Sequence, residues 1–284
     1  MAVKKHKSNP LQKYFRSPGI FVKVPTLCQY LNDITTIETT VNDEFAVYPM
    51  TSADEIIMKN PEALLNGFAI EQVISSCVPG IKNIREFANI DLDVLLLSIK
   101  KATYGDILTT HSTCPVCKKE NEFEISIDWI LANIKYYPKD FTYRINDNMV
   151  FYFKPYSFEV HSKIGIKQYE EGKLAKSLMS DDNMSELEKI REFQKSFLRI
   201  AEFNVEIMSG SIMKIVVEGE VVDDPDFILE YVKNADRNVI EKLNEKSKEI
   251  NEYGGMTKKL DVVCTGCQHA WESDLILDPS YFFG

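Results

Sequence analysis

Two Cys-x-x-Cys knuckles, Cys114-Pro115-Val116-Cys117 and Cys264-Thr265-Gly266-Cys267, stand roughly 145 residues apart in a chain of 284. Each is followed by a polar turn and an alternating strand. Two thiolates from each knuckle would complete the tetrahedral set that zinc takes, at about 2.3 Å per sulfur. One ion would then tie the middle of the chain to its C-terminal end, so the fold must bring two remote hairpins together. Four cysteines leave no open coordination position, and a closed set is structural whereas a catalytic zinc keeps a vacancy. Other pairings remain open at this point. His111 or His269, each close to a knuckle, could replace a cysteine, and the long gap allows two separate sites completed by other chains. A redox role for either pair is disfavoured, because neither knuckle opens a helix after a strand.

Composition narrows the class. Hydrophobic residues make up 44% and aromatics 11% of the chain, enough for a large core. No apolar run reaches the length of a membrane span, and the basic start, Met1 to Pro10, lacks an apolar signal region. The formal charge of −10 opposes nucleic-acid binding, which needs a dominant basic surface. Charge is uneven, however: Lys4, Lys5, Lys7, Lys13, Arg16 and Lys23 all precede the first acid, Asp33. Such an arm is a solvated tail or a docking element for an acidic partner. Cys28 and Cys77, single among apolar neighbours, read as reduced core residues. A cytosolic chain with bound Zn2+ as a structural cofactor fits this cysteine usage.

Periodicity supplies the elements. Val41 to Tyr48 reads as a strand, and Ser52 to Glu55 has capping-box spacing ahead of a helix. Asn60-Pro61 breaks that helix and opens the next, which ends near Gly67. Ala69, Ile70, Val73 and Ile74 form another helical face before the turn at Val78-Pro79-Gly80. Asp91 to Thr103 is the clearest helix, with Leu92, Leu95, Leu96, Ile99 and Ala102 at helical spacing, stopped by Gly105. Ile107 to Thr113 leads into the first knuckle, and Phe123, Ile125 and Ile127 alternate with polar residues beyond it. Tyr143 to Ile145 and Val150 to Phe153 flank a hairpin turn. The stretch from Ser157 to about Val232 is mostly helical, with Met213 to Val217 readable as strand or helix. Pro225 opens a helix with Phe227, Ile228 and Tyr231 inward, and Asp236 to Ile250 forms a further charged helix ended by Gly254-Gly255. Leu260 to Val263 and Trp271 to Leu277 flank the second knuckle.

The fold class is therefore α+β: zinc-ribbon-like hairpins combined with mostly helical N-terminal and central lobes. The expected organisation is a basic arm and lead-in over 1–40, a strand and helical lobe over 41–105, a ribbon module from 106–128 and 256–284, and a hairpin with a mostly helical insertion over 129–255. No nucleophile motif or phosphate loop accompanies His6, His111, His161 or His269. Asp181-Asp182 and Asp223-Asp224 lie in turns, so an enzyme is not expected. The terminal Tyr281-Phe282-Phe283 would be a solubility liability if left open. It packs on the ribbon or docks into a partner.

The order of segments resembles a known family. Val47-Tyr48-Pro49-Met50-Thr51 runs into Asp54-Glu55, then Asn60-Pro61, Leu64 and Asn66-Gly67. Next come Cys77-Val78, the Asp91–Ala102 helix, Tyr104-Gly105-Asp106 and Cys114–Cys117. With Phe151 to Pro155 and the closing Cys264–Cys267 ribbon, this succession resembles the small baseplate hub proteins of T-even-type contractile-tailed bacteriophages, from about residue 40 to the end. One departure is Val24 to Cys28, where relatives tend to be glycine-rich. The resemblance implies a non-catalytic tail-baseplate component that assembles with other phage baseplate and tail proteins, in the host cytoplasm and then in the virion. It equally admits an assembly chaperone that leaves the particle. A zinc-ribbon regulator using the basic arm on nucleic acid is the rival from another class. The candidate site residues are Cys114, Cys117, Cys264 and Cys267 for metal. Tyr281, Phe282, Phe283, Lys4, Lys5 and Lys7 are the candidates for partners.

Overall fold

A computed structural model describes residue 11 and residues 14–180 and 184–275. The N-terminal body opens with β1 (Ile20–Val22), paired antiparallel with β2 (Phe45–Val47). Three short helices follow, α1 (Ser52–Met58), α2 (Pro61–Leu65) and α3 (Phe68–Cys77), and then the long α4 (Asn89–Tyr104). The expected strand from Val41 shrinks to three residues because Asp43 takes a left-handed turn (φ 60°) and Val41 is fully exposed. The capping box also sits one residue earlier than its spacing suggests. Thr51 is the N-cap and Asp54 answers it, accepting from the Thr51 backbone N–H and hydroxyl.

Asp54 is shared further. Ser76 donates to it, and the Arg16 guanidinium reaches it at 3.4 Å while donating to the carbonyls of Pro49 and Ser76. Arg16, counted with the basic arm, is thus a clamp across α1 and α3. Helix α4 is buried nearly all round: Val94 and Leu97 are as enclosed as Leu92, Leu95, Leu96 and Ile99. That is the mark of a central helix, more than the one-sided face the spacing predicts.

Near its start, Asp91 is 1% exposed and accepts from the Thr26 backbone N–H at 2.9 Å and hydroxyl at 2.5 Å. Burial nevertheless pushes this carboxyl up to about 7, and it also raises the Cys28 thiol, itself pushed up mainly by burial. A carboxyl that holds its proton more tightly when folded adds stability fully present below about pH 4 and lost as pH rises through 7. Asp93, pushed by burial to about 6, acts in the same direction. Asp91→Asn is therefore expected to shrink, without abolishing, the fall in urea midpoint between pH 5 and pH 8. Asp91→Ala, which strands the buried Thr26 N–H, should cost about 2 kcal/mol at pH 5 and less at pH 8, where the wild-type carboxyl has already lost its proton-linked stability.

The second lobe is a four-stranded antiparallel meander in the order β5 (Phe141–Asn146), β6 (Met149–Phe153), β7 (Ile212–Val217) and β8 (Glu220–Val222). Between β6 and β7 the chain runs out and back as a helical hairpin, α6 (Phe158–Ser180) and α7 (Glu186–Gly210). After β8 come α8 (Pro225–Asn234) and α9 (Arg237–Tyr253). Phe151, Phe153, Ile212, Ile215, Ile228, Val232, Leu243 and Ile250 form this lobe's core. The β5–β6 hairpin matches the turn expected at residues 146–149, and it is extended into a sheet by β7 and β8. Residues 212–217 are a strand because both edges find partners, β6 on one side and β8 on the other. Of the residues expected inward on α8, Ile228 is buried and Tyr231 half-buried, but Phe227 is exposed. Tyr137 fastens the lobes together, its backbone N–H donating to the Pro25 carbonyl at 2.9 Å and its hydroxyl to the Ile250 carbonyl at 2.8 Å.

Candidate metal centre

The ribbon is built from two hairpins, one from the middle of the chain and one that follows α9. Strand β3 (Ile107–Thr113) leaves α4 through Gly105 and pairs in continuous register with β4 (Glu120–Ser126). The base is fixed by Asp106, which accepts from the Ser126 hydroxyl at 2.6 Å and the Asp128 N–H at 2.9 Å. Those bonds hold its carboxyl below the usual range, the Ser126 bond contributing most. Beyond it the alternation stops, because Ile127 opens a short helix, α5 (Ile127–Ala132), capped by Ser126. The second hairpin pairs β9 (Lys259–Val263) with β10 (Ala270–Asp274).

The hairpins stack face to face. Trp271 meets Phe123 edge-on at 6.1 Å and donates through its indole N–H to the Ser112 hydroxyl, which also bonds Ser273 at 2.7 Å. Period-two alternation makes this possible, since Ser112, Phe123, Val262, Trp271 and Ser273 all turn to one side.

The knuckles are conformational copies. Cys114 N–H donates to the Lys119 carbonyl and Lys118 N–H to the Cys114 carbonyl, at 2.9 and 3.0 Å. Cys264 and His269, and Gln268 and Cys264, repeat this at 2.9 and 3.1 Å. Lys118 and Gln268 carry the tight return in left-handed backbone, with φ of 60° and 61°.

The four sulfurs converge at the ribbon tip, all within 4.8 Å of one another. The cross-hairpin pairs are Cys114–Cys267 at 3.7 Å and Cys117–Cys264 at 3.5 Å. A disulfide needs about 2.05 Å, whereas sulfurs tetrahedral about zinc at 2.3 Å lie about 3.8 Å apart. The residues therefore fit a single ion. Cys114 and Cys264 are buried, and Cys117 and Cys267 open toward solvent. Backbone N–H groups aim at the inner sulfurs. The amides of Cys267 and Gly266 hold Cys264 down to about 6. Burial opposes the same effect at Cys114, but the amides of Cys117 and Val116 prevail and lower it too. At Cys267 the His269 amide favours the thiolate, yet burial and the three neighbouring sulfurs outweigh it and push the thiol up to about 11. Four thiols this close cannot all ionise against one another unless a cation sits among them.

The cluster includes neither histidine. His111 lies exposed on β3, and His269 turns its ring parallel to Trp271 at 6.4 Å. One compact group also removes the reading of two separate half-sites. Lys4, Lys5, Lys7, Tyr281, Phe282 and Phe283 lie outside the described residues. Two features escaped the sequence reading. Asn121, which no motif in the sequence singles out, is 3% exposed beneath the knuckles. Helix α7 leaves Leu187, Ile190, Phe197 and Leu198 between 50% and 73% exposed, a stripe its 3.6-residue period would have exposed to view.

A two-lobed α+β body whose distant segments meet in a four-thiol ribbon is the class that fold and site define. No helix among the described residues is long and apolar enough to cross a membrane. A family model described as T4 bacteriophage base plate protein matches residues 33–284. The chain belongs to that family, and so to the proteins of the phage tail baseplate. No curated protein and no solved structure matches the chain.

Proposed function

We propose that this chain is a structural subunit of the hub region of a contractile-tail baseplate, holding one structural zinc on Cys114, Cys117, Cys264 and Cys267. The observation that carries the zinc reading is the spacing of the four sulfurs, which suits a closed tetrahedral site. The hub assignment rests on the segment order that resembles hub proteins and agrees with the baseplate family match. In this role the protein catalyses nothing. It is made in the host cytoplasm and enters the particle by burying surface against other baseplate proteins. The α7 stripe supports that mode, since contiguous exposed apolar surface on a soluble chain marks an interaction site. The terminal Tyr281-Phe282-Phe283 and the Lys4, Lys5 and Lys7 arm are the other contacts assigned to neighbouring subunits.

Complementation of a phage lacking this gene product tests the proposal. Deleting residues 281–284, or introducing Phe197→Asp with Leu198→Asp, should leave one zinc per chain and the melting temperature close to wild type. Incorporation into purified baseplates, read by mass spectrometry, should fall at least tenfold. Normal recovery of both variants in particles would rule out these docking surfaces. Absence of the wild-type chain from finished virions would instead favour an assembly chaperone.

A further inference from the structure

The geometry points to Asn121 as a positioning residue of the thiol cluster, a side chain through which the first hairpin hydrogen-bonds the second knuckle into place. This inference rests on the metal reading above and names what tunes that site. Asn121 lies on β4, seven positions after Cys114, and is 3% exposed. Its Oδ1 accepts from the Thr265 backbone N–H at 2.9 Å and the Thr265 hydroxyl at 2.8 Å. Its Nδ2 donates to the Lys119 carbonyl at 2.9 Å and to Cys264 Sγ at 3.7 Å. The orientation of the amide is dictated by its partners. A backbone N–H can only donate and a carbonyl can only accept, so oxygen must face Thr265 and nitrogen must face Lys119 and the sulfur.

The consequence is asymmetric. The corresponding position of the second hairpin, seven residues after Cys264, is Trp271, which turns its indole N–H to Ser112. Among the described residues no equivalent side-chain amide reaches back from the second hairpin to the first knuckle. Cys264 receives N–H donation from Gly266 at 3.3 Å, within its own knuckle, and from Asn121 across the interface. A donor to a metal-bound thiolate removes negative charge from the sulfur and fixes its direction. Partners of this kind are typically worth 10–100-fold in metal affinity. Asn121→Ala removes both halves of the bridge. Asn121→Asp keeps the acceptor toward Thr265, loses the donor, and sets a carboxylate against the thiolates.

The test is chelator competition for zinc, with cobalt loading, on the full chain as wild type, Asn121→Ala, Asn121→Asp and Cys264→Ser. Wild type should take up one ion per chain. Both Asn121 variants should also bind one ion, with affinity lowered about 10–100-fold. Both should shift the sulfur-to-cobalt charge-transfer band, a signature that a purely packing role would leave in place. Cys264→Ser should lose the band's four-thiolate character. If the wild-type chain binds no stoichiometric ion, the metal reading itself fails. If wild type binds but both Asn121 variants match its affinity and spectrum within twofold, the assignment of Asn121 fails and the metal site survives. Should Asn121→Ala not fold, the near-isosteric Asn121→Asp decides the matter alone.

Discussion

On the zinc reading proposed above, stripping the metal, or replacing Cys264 by serine, is expected to unfasten the ribbon while leaving the body folded. The two hairpins share a thin interface: Trp271 against Phe123, the Ser112–Ser273–Trp271 hydrogen bonds and the Asn121–Thr265 bridge. An isolated two-stranded hairpin is marginal in water, so these contacts depend on the cluster that joins the tips. A covalent link closing a loop of this length is worth about 5 kcal/mol of chain entropy, and a metal link acts in the same way. With about 2–4 °C per kcal/mol for chains near this size, chelation should lower the first melting transition by roughly 10–20 °C. Hydrogen exchange locates the effect. Amides of residues 108–125 and 260–274 should lose protection together, whereas those of α4, whose Val94, Leu95, Leu97 and Ile99 are fully enclosed, should keep theirs. Unchanged exchange in both hairpins after exhaustive chelation would show that the cluster does not hold the ribbon.

The second large effect is expected at Gly255, where the chain passes from α9 into the ribbon. Its backbone pairs with Lys135 through two hydrogen bonds, at 2.8 and 3.0 Å, with φ at +93°. A Cβ there would meet Cγ1 and Cδ1 of the buried Ile90 at 2.3 and 2.4 Å. Gly255→Ala combines left-handed strain of about 1 kcal/mol with overpacking of about 1–3 kcal/mol. A total loss near 3 kcal/mol in chemical denaturation is expected. The double variant with Ile90→Ala should fall short of the sum of the single losses by about 1–2 kcal/mol, because the second change opens the space the first one needs. Strict additivity would show that the clash is relieved elsewhere.

The parts of the fold that the sequence discloses are those governed by short-range rules. The thiol cluster was visible because zinc fixes both residue type and spacing within each knuckle, and strands β3 and β4 because alternation is a local pattern. Pro61 at a helix start and the Gly105 stop belong to the same category. What stayed hidden depends on distant partners. Residues 212–217 are strand through pairing with β6, some 60 residues earlier. In the sequence Asp91 marks only the start of a helix, yet it is a buried acceptor for Thr26. Asn121 shows nothing in its neighbourhood of sequence; its role exists only once Thr265 is brought against it. The Leu27-Cys28 pair stands in left-handed backbone at φ 51° and 60°, a conformation uncommon for residues with a side chain and one that no local sequence signal announces.

The clasp between residues 114–117 and 264–267 also has a mechanical meaning. The whole sheet lobe with its helical hairpin lies on the stretch of chain between the two knuckles. With the proposed ion bridging the four sulfurs, tension applied beyond the second knuckle would pass across the cluster into β3 and the base of α4, instead of being drawn through the lobe. On the proposed assignment, a pull on one end of this molecule would not pay out the slack folded into its middle.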